Sequence, residues 1–122
     1  MADEKVNIPQ KFAQLSELWS PKIVGELNGQ HVKLAKLKGE FDWHHHEDED
    51  EMFFVLKGEL DLHLHGGEVV HLDPGEFYIV RKGIEHKPIA RSECHIMLFE
   101  PAGTRNTGNI DNERTVEDPE RI

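Results

Sequence analysis

The chain has few of the features that mark secreted, membrane or nucleic-acid-binding proteins. Cys94 is its single cysteine, which excludes an internal disulfide framework and is typical of proteins in the reducing cytosol. No apolar run approaches the length of about 18 residues that a transmembrane helix requires. Basic residues number 14 against 24 acidic ones, and the net charge of −10 argues against nucleic acid and anionic membranes as partners.

The N-terminal segment also lacks the pattern of a secretory signal. "MADEKVNIPQKF" has no basic start followed by an apolar stretch, so no signal peptide is expected and a cytoplasmic location is predicted. A length of 122 residues suits a single domain over residues 1–122, which can bury a core without disulfides.

Apolar side chains at helical spacing follow the first few residues. Phe12, Leu15, Leu18 and Trp19 recur at this spacing, with one proline near the start of the segment and another after its end. The pattern predicts a short amphipathic helix over about residues 8–19.

From about residue 31 to residue 100, short apolar runs alternate with glycine and proline turn signals. In "GELDLHLHGG", Leu60, Leu62 and Leu64 share one face of a strand, because alternate residues of a strand point the same way. Many such runs predict an all-β sandwich or barrel with its core at residues 31–100. Residues 101–122 are polar, and predict either an arm lying on the barrel or a disordered tail.

The run "EMFFVL" is apolar on both of its faces. Alternation places Phe53 and Val55 on the inner face with Glu51. The outer face then carries three apolar side chains, Met52, Phe54 and Leu56. Such a face needs a cover, which the N-terminal helix can supply in part and a second subunit in the rest. The sequence therefore predicts a homodimer.

A triple histidine begins the most informative stretch, "HHHEDEDE". On a strand, His44 and His46 project together and His45 projects the other way. A short acidic turn can return the carboxylate of Glu51 to the same cavity, and His86 follows a later strand. Three imidazoles and one carboxylate suit one divalent transition metal such as Fe, Zn, Ni or Mn, with up to two coordination positions open.

The spacing of these ligands resembles the first sequence motif of the cupin superfamily. That motif is a glycine followed by HxH, a glutamate and a closing glycine, which Gly39, His44, His46, Glu51 and Gly58 match here. The interval between the first glycine and the first histidine is one residue shorter than usual.

A second stretch, "GEFYIVRKGIEH", resembles the second cupin motif and ends on His86. Arg81 stands where that motif usually has proline, and Ala90 where it often ends in asparagine. The resemblance is strongest to small single-domain cupins labelled mannose-6-phosphate-isomerase-like. It implies an all-β, double-stranded β-helix (a jelly-roll barrel) with a metal inside, and it implies dimers.

Four basic residues surround His86 in an otherwise acidic chain. They can form a cationic rim that holds a carboxylate or phosphate of a substrate near the metal, or they can belong to a solvated loop. These possible substrate-binding residues are Arg81, Lys82, Lys87 and Arg91.

The function predicted from these features is metal-dependent action on a small polar, anionic molecule. The reaction is either of isomerase type or an iron-dependent dioxygenation, and no catalytic residue or organic cofactor site is assigned beyond the metal ligands. The alternative is a cupin that binds or senses a small molecule without turnover. An output domain for a sensor does not fit within 122 residues, which favours an enzyme.

Overall fold

The structure is a computed structural model that describes residues 3–122. It contains one short helix and seven strands, and no helix in the described part of the chain is long and apolar enough to cross a membrane. The elements are α1 (Ile8–Phe12), β1 (Lys22–Leu27), β2 (Gln30–Glu40), β3 (Glu51–Lys57), β4 (Leu60–Leu64), β5 (Val69–Leu72), β6 (Phe77–Val80) and β7 (His86–Pro101).

The strands pair in antiparallel fashion in the order β1–β2–β7–β3–β6, and β4 pairs with both β5 and β7. Strand β7 organises the barrel, because its beginning pairs with β4 and its later part pairs with β3. Along most of its length it also pairs with β2. The predicted all-β jelly-roll barrel is therefore confirmed.

The core lies between the inner faces of these strands. In β3, Phe53 and Val55 are buried beside Glu51, as the alternation predicts. Strand β4 buries its leucines in the same alternating way. Burial of each large apolar side chain contributes about 1.5–3 kcal/mol, so this alternation fixes which face of each strand points into the barrel.

The N-terminal helix is shorter than the sequence predicts. It ends at Phe12, so the predicted bounds of 8–19 were wrong. Beyond it the chain is held by β2, since Lys36 Nζ donates to the carbonyl of Leu15 at 2.7 Å and the amide of Trp19 donates to the carbonyl of Lys36 at 2.9 Å. A short helix is marginal by itself, so these bonds to the sheet determine the conformation.

The outer face of β3 is only partly covered by the N-terminal segment. Leu56 packs against a cluster built around Phe12 and Leu15, which is the cover expected of that segment. Farther along the sheet, Phe54 stacks on Phe77 at 6.3 Å between ring centroids, and Phe77 remains 54% exposed. An apolar patch is therefore left on this face of the barrel.

The barrel begins and ends outside the predicted core of residues 31–100. Strand β1 precedes this core and pairs with β2, and β7 continues to residue 101. The pattern of apolar residues did not predict β1, because the lysine, glycine and glutamate of this strand break the alternation. The tight turn that follows uses Asn28 and Gly29, both with positive φ.

Residues 101–122 form an arm that lies on the barrel. The amide of Ile122 donates to the carbonyl of Ile23 at 3.0 Å, and the amide of Asn109 donates to the carbonyl of His45 at 3.0 Å. These bonds decide between the two predicted alternatives in favour of an ordered arm. They also fasten the arm to the histidine segment.

Candidate metal centre

Four buried side chains converge at one end of the barrel interior. Each offers a nitrogen or oxygen atom, and these atoms all lie within 4.8 Å of one another. Glu51 Oε1 lies 3.2 Å from His46 Nε2 and 3.5 Å from His86 Nε2. The structure therefore brings together all four predicted ligands, His44, His46, Glu51 and His86.

Backbone pairing sets the positions of these side chains. The amides and carbonyls of His44 and His86 exchange hydrogen bonds of 3.0 and 2.9 Å, so residues far apart in sequence become neighbours. The carbonyl of His46 accepts from the amide of Gly83 at 2.7 Å. Glu51 is the first residue of β3, directly after the acidic turn. The centre is thus built where three segments meet.

Hydrogen bonds to carbonyl groups orient two of the rings. The Nδ1 atom of His44 donates to the carbonyl of Asp42 at 2.8 Å, and that of His86 donates to the carbonyl of Ile84 at 2.9 Å. This arrangement leaves Nε2 of each ring unprotonated and free to bind a metal. Local bonds of this kind are usual for histidines that ligate metals.

The charge states of His44 and Glu51 suit a cation. Burial is the main cause that lowers the pKa of His44 to about 4, with a further contribution from His86, so this ring is neutral at neutral pH. Burial opposes ionisation of Glu51, but the adjacent His46 and His86 hold its pKa well below the usual value. A neutral imidazole and an ionised carboxylate are the forms that bind a metal.

Several metal-facing atoms lack good hydrogen bonds within the described part of the chain. These atoms are Nε2 of His46, Nε2 of His86 and Oε1 of Glu51, all shielded from solvent. Buried polar atoms are rarely left in this state, because each costs about 1–3 kcal/mol. A divalent ion would satisfy all three, and three imidazoles with one carboxylate form a donor set that Fe, Zn, Ni and Mn accept.

A small cavity opens beside this centre. Its volume is about 40 Å³, and nine of its twelve lining residues are apolar. His44 and Glu51 form its metal-facing wall, while Trp19 and Phe41 stack on each other at 4.8 Å between ring centroids. A ligand in this cavity would contact both the metal and an apolar surface.

Comparison with known proteins now assigns the chain to a family. The model of the family described as "Cupin domain" matches residues 30–100. This chain is a cupin. A cupin-2 domain containing protein from Shewanella frigidimarina is 43% identical, with a TM-score of 0.76 over 79% of this chain and 93% of that chain.

Two further proteins are similar to this chain. Protein NMB1881 from Neisseria meningitidis is 29% identical, with a TM-score of 0.75 over 81% of this cupin and 100% of that chain. The uncharacterized protein YdbB of Bacillus subtilis is 41% identical over 64 residues, which are 52% of this chain and 57% of that relative. The match to YdbB therefore spans little more than half the length of that protein.

His45 lies outside the candidate metal centre of this cupin. Its Nε2 contacts a carboxylate oxygen of Glu47, and its Nδ1 lies 3.5 Å from Glu85 Oε2. Glu47 is the main cause that raises the pKa of His45, in contrast to the lowered pKa of His44. The alternation predicted for the triple histidine therefore holds, although only His44 forms a β-bridge.

The sequence reading missed a buried pair behind Glu51. Strand pairing of Met52 with Phe99 makes Glu51 and Glu100 neighbours on the inner face. Lys33 Nζ lies 3.3 Å from Glu100 Oε1, and both of these side chains are almost fully buried. Charged residues are almost never fully buried without partners, and here Lys33 and Glu100 are partners of each other.

The charge states of Lys33, Glu100 and Glu51 depend on one another. Burial is the main cause that raises the pKa of Glu100, and the Glu51 carboxylate raises it further. We therefore assign the proton to Glu100 and the negative charge to Glu51, while Lys33 is the balancing cation. Lys33 also donates to the carbonyl of Thr104 at 3.1 Å. In the sequence these residues look like ordinary charged positions, so only the register of β2, β3 and β7 reveals them.

The predicted basic rim is not gathered around the cavity. Arg81 pairs with Asp50 at 3.2 Å, Lys87 pairs with Glu40 at 2.7 Å, and the side chain of Arg91 is 90% exposed. None of the four basic residues, Arg81, Lys82, Lys87 and Arg91, lines the cavity. The structure thus favours the solvated-loop alternative, and substrate binding by these residues stays a prediction.

A second histidine cluster lies on the outer surface. His71 contacts Asp61 at 2.7 Å and Asp73 at 3.0 Å, and these hydrogen bonds raise its pKa to about 8. Glu59 lies nearby, so the cluster has ligand-type atoms, but all of its potential ligands are exposed. The existing hydrogen bonds account for this arrangement without a metal.

Cys94 is a core residue. It is fully buried, and burial raises the pKa of its thiol to about 12. A thiol in this state is a poor nucleophile. The structure therefore supports the packing role rather than a catalytic one.

Proposed function

We propose that this cupin binds one divalent transition metal through His44, His46, Glu51 and His86 and acts on a small molecule in the adjoining cavity. The observation that supports the proposal most strongly is the set of buried donor atoms without good hydrogen bonds, directed at a common point. A bound metal would polarise a substrate oxygen and stabilise negative charge that develops on it.

The chain's own residues would supply positioning and exclusion of water. Carbonyl groups hold the rings of His44 and His86 in one tautomer, and the apolar wall keeps the reacting atoms dry. A divalent ion held by neutral imidazoles and the Glu51 carboxylate keeps a net positive charge. The site is therefore suited to an anionic oxygen, such as that of a carboxylate or an enolate, as the head of the ligand.

Two enzyme types and one binding role fit this arrangement. The resemblance to mannose-6-phosphate-isomerase-like cupins supports isomerase-type chemistry, while the open coordination positions also suit dioxygen on iron. The binding role is favoured by one specific observation, since the cavity lining offers no acid or base besides His44 and Glu51. We favour an enzyme that uses the metal for activation.

Metal substitution separates these possibilities. Iron-loaded and zinc-loaded protein would be incubated with 2-oxo acids, amino-thiol acids and sugar phosphates, while oxygen uptake and product masses are recorded. We expect product formation with at least one metal form. Dependence on both iron and oxygen would identify a dioxygenase, and activity with zinc under anaerobic conditions would identify isomerase-type chemistry. Saturable binding without product under either metal would instead support the sensor.

We also propose that the protein is a homodimer, with the apolar patch at Phe54 and Phe77 in the interface. The patch lies on β3 and β6, and β6 ends the order of paired strands among the described residues. Burial against a second copy would remove this patch and the free strand edge from water.

Light scattering coupled to size exclusion tests this proposal. At micromolar concentration we expect twice the chain mass of 14.1 kDa for the wild type. Phe77→Lys should shift the mass toward the monomer, because it places a charge within the patch. A matched exposed substitution elsewhere, Val69→Lys, should leave the dimer intact. A monomeric wild type would count against the interface.

A further inference from the structure

The polar side chains that line the cavity, apart from His44 and Glu51, already make hydrogen bonds within the chain. The side-chain amide of Asn106 donates to the carbonyl of Arg114 at 2.9 Å, and its oxygen accepts from the amide of Val116 at 2.8 Å. The indole nitrogen of Trp19 donates to the carbonyl of Lys38 at 2.9 Å. Apart from His44 and Glu51, the lining side chain that retains hydrogen-bonding capacity is Asn106, which has a second N–H.

The remainder of the lining is built of apolar side chains from the barrel interior. Leu37, Phe53, Ile96 and Leu98 are each at most 5% exposed, so they form a fixed wall rather than a mobile rim. Ala35 is the smallest side chain of this wall and leaves part of the cavity volume open. Such a surface offers contact to methyl and methylene groups and offers few partners to hydroxyl groups.

This lining disfavours ligands with many hydroxyl or phosphate groups. Each hydroxyl that loses water without finding a partner weakens binding, and an unpaired phosphate weakens it far more. Arg81 and Lys87, which could have paired with a phosphate, form salt bridges with carboxylates outside the cavity instead. A sugar phosphate therefore does not match this cavity, although the small cupins that the sequence resembles are labelled mannose-6-phosphate-isomerase-like.

We propose that the cavity takes a compact molecule with a single anionic or carbonyl head and an apolar body. The head would bind at the metal, and the body would lie against Leu37, Phe53, Ile96 and the Trp19–Phe41 stack. The cavity volume of about 40 Å³ limits the body to a few carbon atoms unless the stack moves. Short aliphatic 2-oxo acids belong to this class. The inference rests on the proposed function, because it assumes a metal at the four ligands.

Two probes of equal charge and similar size test the inference. In 2-oxobutanoate the terminal group is a methyl, whereas 3-hydroxy-2-oxopropanoate carries a hydroxyl at the same place. Binding would be measured on zinc-loaded Trp43→Phe protein by the fluorescence of Trp19, which lines the cavity, whereas Trp43 is exposed and lies outside it. We expect the hydroxylated probe to bind about 10- to 100-fold more weakly, and mannose 6-phosphate to bind more weakly still.

A substitution in the apolar wall of the cavity tests whether the change in Trp19 fluorescence reports binding inside the cavity. Ala35→Val in the same background adds two methyl groups to the apolar wall and changes none of the four ligands. We expect it to keep one zinc per chain and to lose at least about tenfold in affinity for 2-oxobutanoate. If this variant fails to fold, the ratio of the affinities of the two probes for the Trp43→Phe protein tests the proposal by itself.

The outcomes separate the two proposals. Equal or tighter binding of the hydroxylated probe or of the sugar phosphate would overturn the apolar class, and so would failure of 2-oxobutanoate to bind. Absence of zinc from the wild-type protein would overturn the proposed function itself. The zinc content is measured first, so the two failures cannot be confused.

Discussion

Replacement of His86 by alanine is expected to reduce metal affinity by more than about 100-fold, because partners that merely orient ligands already contribute 10- to 100-fold. His86 is fully buried, and its Nε2 lacks a good hydrogen bond within the described chain, so an ion would be its natural partner. His44→Ala and His46→Ala should have effects of the same size. Metal affinity would be measured by competition with a chromophoric chelator, with circular dichroism to confirm folding.

His45→Ala is the matched control within the same triple histidine. Its ring faces Glu47 and Glu85 rather than the centre, so this variant should bind metal within about threefold of the wild type. Equal loss of metal in the His44, His45 and His46 variants would show that the alternation of this segment is wrong. Full retention of metal by His86→Ala would show that this histidine is not a ligand.

Lys33→Met is expected to lower the free energy of unfolding of the metal-free protein by about 3–5 kcal/mol. The substitution keeps the volume of the side chain but removes the buried cation beside Glu100 and Glu51. The carboxylate that Lys33 balances would then be left without a charge partner inside the barrel. Urea denaturation of the two proteins at the same pH measures the difference.

The double variant Lys33→Met/Glu51→Gln separates charge from packing in the metal-free protein. It removes the cation together with the carboxylate that it balances, so we expect it to recover much of the stability that Lys33→Met loses. A loss of less than about 1 kcal/mol in Lys33→Met would contradict the assignment of Lys33 as the balancing cation. A double variant as unstable as the single one would show that the lost stability comes from packing rather than charge.

The metal ligands could be predicted from the sequence because they follow local rules. His44 and His46 are two residues apart, and extended backbone places such residues on one side even where no regular strand forms. The alternation of Phe53 and Val55 with half-buried positions likewise follows from burial of one face. Gly58 in the motif has a physical reason: its φ is +82°, and a Cβ there would lie 2.7 Å from the carbonyl oxygen of Glu93.

Features that depend on distant contacts could not be predicted in this way. The helix expected over residues 8–19 ends early because Lys36 in β2 forms hydrogen bonds with the backbone of Leu15 and Trp19. The basic residues near His86 suggested an anion site, but strand pairing places carboxylates beside Arg81 and Lys87. Neither outcome leaves a signal in the local pattern, because each partner is at least 17 residues away in the chain.

The metal content of the wild-type protein, purified without a histidine tag, tests the central claim most directly. Elemental analysis should find close to one first-row divalent transition metal per chain. Protein stripped with a chelator should regain one equivalent of Zn, Fe, Ni or Mn and show a higher melting temperature in its presence. A chain that carries no metal after purification, and whose melting temperature does not respond to any of these ions, would contradict the account.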